Sequence, residues 1–437
     1  MAAGRFFALV LLACALVCGN RLWSPSHAIG LAVAVGSYND LKTDRGRERR
    51  VLEGLNAVNW AALGHAYGSA EDVPGLLRQV RSADPKVRKD AVQELCSTIV
   101  HQGTRYSATA PAVPFLIQLA TAPDTHNRAR LVNLLAYAAV GYDNASLPDG
   151  ILTLDQLRHT TNTPGDEHMY GPWALAAYQA VQAALPALLP LLDEADDRLR
   201  RETAHLLAWF PSFAPASLPR LRARLDLETE RDTRVTMIVA IGLLAGANDD
   251  TGDTPWLSEL LAGPDPIVQW AAATALARLF PEHPPEPAVH ELLGWLTDQP
   301  DTNPFTLDAN PHAFPPPDDM PFGEYTLQTL VRPGPAACQR VAEALLAKLD
   351  DAEGCQAESL LWDLMVVAFE GDPQAPRPSF AGLNPLQQQI VGALIRMPWI
   401  WQAEPGERIP ADNPLWAYGL PSTQEGLRTY TGDVRPK

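Results

Sequence analysis

The sequence predicts an all-α chain, an α-solenoid built of stacked antiparallel helical hairpins. Three observations predict it. A short Asp-led phrase recurs: "DPKVR" at 84–88, "DDRLR" at 196–200, "DTRV" at 232–235 and "DPIVQ" at 265–269. Each copy precedes apolar residues at the helical period. The expected second-helix starts also recur at repeat-like intervals: 40 residues from Asp84 to Asp124, 35 from Asp197 to Asp232, and 33 from Asp232 to Asp265. Such periods, each holding two helices, are the mark of a helical repeat in which no unit buries its apolar face alone.

The elements follow in order. Residues 37–50 are polar and read as a linker, with organised helices expected from Val51. A helix over 69–80 opens on Ser69, Glu71 and Asp72, acidic groups that suit a helix N-terminus. At 84 the phrase has a mechanical meaning: Asp84 can cap, Pro85 fits the first helical position, and Val87, Ala91, Leu95 and Ile99 form a stripe. The same reading gives helices over 111–120 and from Asp124, over 178–192 and from Asp197, over 216–225 and from Asp232, and over 254–261 and from Asp265. In the last, Val268, Ala271, Ala275 and Leu279 form the stripe, which leaves Trp270 facing outward. Further helices are expected at 336–348, 355–369 and 385–395, with a short one at 423–428. No strand alternation is evident, and "GILTLDQ" at 150–156 reads as loop. The 40 prolines are taken as turns and helix starts, because an interior proline breaks a helix. Domain boundaries follow: 1–28 a leader, 29–50 a linker, and 51–437 the repeat array. The array is interrupted at 141–171 and 299–322 and becomes atypical from about 383.

Composition narrows the function. At 46% hydrophobic and 19% charged residues the chain is globular rather than disordered. A net charge of −17 argues against a nucleic-acid partner, which needs concentrated Lys and Arg. Of five cysteines, Cys14 and Cys18 fall in the leader. The remaining three are too dispersed for a disulfide framework or a C-x-x-C metal site, and Cys96 reads as a buried thiol. Arg5, the uncharged run 6–18 and the small residues before Ile29 resemble a signal peptide or membrane anchor. That implies an exported or membrane-attached protein. The alternative is a misplaced start ahead of a cytosolic one.

With the repeats laid out, "DPKVRKDAV" at 84–92 and its weaker copies at 197, 232 and 265 resemble HEAT repeats. "HQGTRYSATAPAVPFLIQL" at 101–119 is similar to the N-terminal part of a group of uncharacterised HEAT-repeat proteins of actinobacteria and related soil bacteria, over about 58–246. The resemblance implies a scaffold that binds proteins along a concave face. Some bacterial members are bilin lyases, some repair alkylated DNA and some serve as immunity partners of toxins. The basic groove of the repair type and a bilin-handling motif are not evident in this sequence.

Catalytic signatures are absent: there is no G-x-S-x-G, H-E-x-x-H, P-loop or G-x-G-x-x-G. No cofactor and no metal ligand set is expected. His101 closes one helix, Gly103 suits its C-terminal cap, and Thr104 and Tyr106 follow in a polar link. This link reads either as a structural turn or as a recognition edge. Ser107 with His101 as nucleophile and base lacks a third residue. Asp166 and His168, in the first insertion, are further ligand candidates. On the second helices Arg201, Arg234 and Trp270 are candidates for contacting a protein partner, whose identity the sequence does not give. The expectation is therefore a non-catalytic protein-binding scaffold. The alternative is a small-ligand binder or enzyme using the 101–110 turn and the 141–171 insertion.

Overall fold

The computed structural model describes residues 51–141, 147–148, 172–297, 322–332, 334–349, 354–369, 379–397, 401, 415 and 418–432. Both insertion cores, the leader and "GILTLDQ" lie outside them. The described chain is a multi-helix, all-α assembly with one two-stranded hairpin. The chain divides into two compact units between Leu244 and Ala245, inside the helix over 231–246.

The first unit opens with β1 (Gly64–His65) and β2 (Gly68–Ser69), then α1 (Val73–Gln79) and α2 (Pro85–Ile99). There follow α3 (Thr109–Thr121), α4 (Arg128–Val140), α5 (Pro172–Leu188), α6 (Asp197–Ala208), α7 (Ala214–Leu225) and α8 (Arg231–Gly246). Successive helices pair, α1 on α2 and α3 on α4. The first members also pack in a row, α1 on α3 on α5, and the second members in another, α2 on α4 on α6. The second unit contains α9 (Thr254–Leu261), α10 (Pro266–Leu279), α11 (Glu286–Thr297), α12 (Phe322–Val331), α13 (Pro335–Leu349), α14 (Gly354–Ala368), α15 (Pro385–Leu394) and α16 (Gln424–Thr431). Here too α9 packs on α10 and α13 on α14, while α10 meets α12 and α11 meets α13. The helix over 172–193 is long and apolar enough to cross a membrane, yet α5 packs on both α3 and α4 as a core helix does.

The recurring phrase is a helix start with a clamp behind it. Asp84 and Asp265 sit in extended backbone and accept from the N–H of Lys86 (2.8 Å) and Ile267 (3.1 Å). Asp196, rather than Asp197, caps α6 by accepting from Leu199 N–H at 3.2 Å. Four residues beyond each cap position, a long side chain reaches back to the preceding turn. Arg88 donates to the carbonyls of Ser82 (2.8 Å) and Ala83 (2.9 Å), and Arg200 to those of Glu194 and Ala195 (both 2.8 Å). Arg234 donates to the Glu228 carbonyl at 3.0 Å, and Gln269 to that of Leu261 at 3.2 Å. These carbonyls end the previous helix or turn and would otherwise lack donors.

Two expected caps differ. Asp124 pairs with Arg81, and α4 starts instead after Asn127 in the left-handed region (φ 53°). Asp232 lies inside the first turn of α8. Pro114, Pro186 and Pro219 sit within helices, against the expectation for interior prolines. Pro114 and Pro219 each occupy the sixth residue of a first helix, where one backbone bond is lost and a kink is admitted.

Candidate functional site

The short hairpin brings the most chemistry together at the surface. Its first strand is held by the ends of two helices. Ala66 N–H donates to Thr98 O (3.0 Å), and Ala108 N–H donates to Gly64 O (3.1 Å). The Ser107 hydroxyl accepts from Gly64 N–H at 2.8 Å and donates to Gly64 O at 3.3 Å. Ser107 is thus committed to backbone, which removes it as a nucleophile partnered by His101. Gly68, with φ 129°, lets the chain turn back directly after Tyr67.

His65 is buried and fully oriented. Its Nδ1 accepts from Tyr67 N–H at 3.0 Å, so Nε2 carries the proton and donates to Asp72 Oδ1 at 2.9 Å. Tyr67 itself is 65% exposed, the large aromatic left most open near this end of the chain. Its ring meets His101 edge-on at 5.3 Å between centroids, and its hydroxyl lies 3.2 Å from His101 Nδ1. That nitrogen also lies 3.1 Å from Ser97 O. Behind it, Gln102 (φ 48°) and Gly103 (φ 74°) are both left-handed, a conformation disfavoured for a glutamine. Arg105 is buried and donates to Gly103 O at 2.5 Å. Gly141 is required beside it, since a Cβ there would collide with the guanidinium. Thr104 and Tyr106 complete the cluster. Burial pushes the Tyr106 phenol up, a bond with Thr104 pulls it back, and the neighbouring Tyr67 adds to the rise. Tyr106 therefore remains a protonated donor at neutral pH.

Of the residues singled out by sequence, His101, Thr104 and Tyr106 come together here, while Asp166 and His168 lie outside the described residues. Tyr67 was not foreseen. The signal was "GHAYGS", two glycines bracketing an aromatic, which is too short for any alternation. The partner-contact candidates are less open than their place on the second helices predicts. Trp270 is fully buried and donates to Thr326 Oγ1 at 2.9 Å. Helix α10 is enclosed on every side over 270–279, so a one-sided stripe misplaced its phase. Arg201, 5% exposed, faces Asp232 at 3.6 Å and the buried Glu202 at 3.9 Å. Arg234 is half-buried and serves as the clamp on Glu228 O. Cys96 is half-buried rather than enclosed, and burial pushes its thiol up.

A second cluster is structural. Glu228, buried in the turn before α8, receives Arg200 Nε (2.6 Å) and Nη2 (2.8 Å), Arg224 (3.3 Å), and the N–H groups of Thr229 and Glu230 (both 3.1 Å). Equivalent ion pairs join other successive turns: Arg81 with Asp124, and Arg128 with Glu194 at 2.9 Å. Among the described residues, no group of three or more His, Cys, Asp or Glu side chains is placed to hold a metal ion. No family model matches the chain, and no curated protein matches it.

Proposed function

We propose that this protein is a non-catalytic, protein-binding scaffold of the HEAT-repeat type, and that the Tyr67–His101–Tyr106 cluster forms part of its recognition edge. The observation that carries the scaffold reading is the order of packing. Helical pairs follow one another with first members in one row and second members in another, and the same cap-and-clamp turn recurs in both units. That order supports a reading as stacked repeats, which function mainly by presenting extended surface. The recognition edge rests on Tyr67, an exposed aromatic held by a hydroxyl contact, the residue type that anchors interfaces.

The arginines support a protein partner over nucleic acid. Arg81, Arg128, Arg200, Arg201, Arg220, Arg224 and Arg340 all face carboxylates of this chain, which leaves them poorly placed to track phosphates. The small-ligand alternative draws on the same cluster, because the Tyr106 phenol stands partly desolvated beside Thr104.

Affinity capture with the full chain, followed by calorimetry on the purified partner, tests the proposal. A Tyr67→Ala, His101→Ala double variant with unchanged circular dichroism should bind that partner at least about tenfold more weakly. Absence of any partner specific to the folded chain would sink the scaffold reading. Full affinity in the double variant would move the recognition edge elsewhere.

A further inference from the structure

The contacts of His101 fix what it and Tyr67 can offer a ligand. Nδ1 faces both Ser97 O, at 3.1 Å, and the Tyr67 hydroxyl, at 3.2 Å. A carbonyl oxygen only accepts, so the Ser97 contact requires a proton on Nδ1; a bare Nδ1 would set one lone pair against another. With the proton on Nδ1 and shared between the two oxygens, the neutral ring carries its lone pair on Nε2. Among the described residues nothing reaches Nε2. The Tyr67 hydroxyl, accepting from the imidazole, turns its own hydrogen to solvent. An acceptor and a donor therefore stand side by side at the surface. The strand that follows, β2, pairs with β1 on one edge only, and Gly68 and Ser69 are both exposed. The other edge of β1 is already taken by Thr98 and Ser107.

We infer that the Tyr67–His101 pair, with the open edge of β2, receives the backbone of an extended peptide segment from a partner. This rests on the protein-binding reading and names its chemistry. A peptide N–H donates to His101 Nε2 and a peptide carbonyl accepts from Tyr67, while β2 offers backbone pairing beside them. A two-residue strand supplies few ladder bonds, so the two side chains set the register. A carboxylate carries only acceptors and would meet the Nε2 lone pair. A metal ion at Nε2 lacks a set of further ligands among the described residues.

The test uses the full chain with isotope-labelled histidine, the His101 ring signals being assigned by their loss in His101→Gln. The probes are acetyl-tetraalanine amide and, at equal concentration, sodium acetate. Expected are ring shifts of the Nδ1–H tautomer in the free protein and saturable movement of His101 with the peptide only. Tyr67→Phe should weaken the peptide response about fivefold, the scale of one neutral hydrogen bond. An Nε2–H tautomer, movement with acetate equal to that with peptide, silence with both probes, or an indifferent Tyr67→Phe would each overturn the inference. A purified partner that still binds Tyr67→Phe with full affinity would also overturn it while leaving the scaffold reading intact.

Discussion

Glu228 exposes no side-chain surface and answers two arginines and two backbone N–H groups. Burial pulls its carboxyl up, but the bonds from Arg200, the Glu230 N–H and Arg224 outweigh that and hold it below the ordinary range. A depressed folded value means stability that is present above the unfolded carboxylate pKa, about 4.3, and lost as pH falls through the folded one. Asp232 works in the opposite sense. Burial raises it despite Arg201, so its ionised form opposes folding at neutral pH and its protonation relieves the strain. Glu228→Ala should cost about 3 kcal/mol in denaturant unfolding at pH 7, because Arg200 is left buried without its carboxylate partner. The same variant should flatten the acid limb below pH 4.3. An acid limb as steep as wild type would remove Glu228 as its source. At Trp270 the prediction is equally direct. Trp270→Ala should lose about 3–5 kcal/mol through the cavity and the lost bond to Thr326, as read by chemical denaturation. A loss under 1 kcal/mol would contradict its burial.

At the scale of single elements, the cap and the clamp are separable. Asp84→Ala and Asp265→Ala should each cost about 1 kcal/mol in unfolding free energy. Arg88→Ala should add to Asp84→Ala less than its own single effect, since both act on one turn. Full additivity in that double-mutant cycle would break the link between them. This boundary shows what was legible in the sequence. The caps at Asp84 and Asp265 could be read because an aspartate followed by proline at the first helical position is a local signal. The role of Arg88 and Arg200 could not, because their acceptors are carbonyls of the preceding turn, set by tertiary folding. The start of α4 was missed for a similar reason: Asn127 begins it in a left-handed conformation, and Asp124 is drawn to Arg81 across 43 residues. His101, Thr104 and Tyr106 were visible as a polar link after a helix end. Tyr67 was not, since only the hairpin brings it to His101 over 34 residues.

For the molecule as a whole, packing in chain order has a consequence for how it comes apart. If the helical pairs are repeats, each is stabilised by its own residues and by its immediate neighbours, and stability approximates a sum of such terms. The pair α1–α2 then stands at one side of the described array. Besides the hairpin bonded to the end of α2, it meets the rest through α1 on α3 and α2 on α4, tied by the Arg81–Asp124 pair. The outer face of α2, through Lys86, Asp90, Gln93 and Glu94, is exposed and polar, whereas α6 is buried along nearly its full length. A repeat with water on one side is the place where an array frays. The Asp84→Ala, Arg88→Ala double variant should therefore lose amide protection over 73–99 under native conditions, read by hydrogen exchange with mass spectrometry. Protection over 266–279 should stay at the wild-type level. A uniform loss across both stretches would mean that the chain opens as a single cooperative body. The repeat reading of the fold, and the scaffold function proposed on it, would then lose their main support.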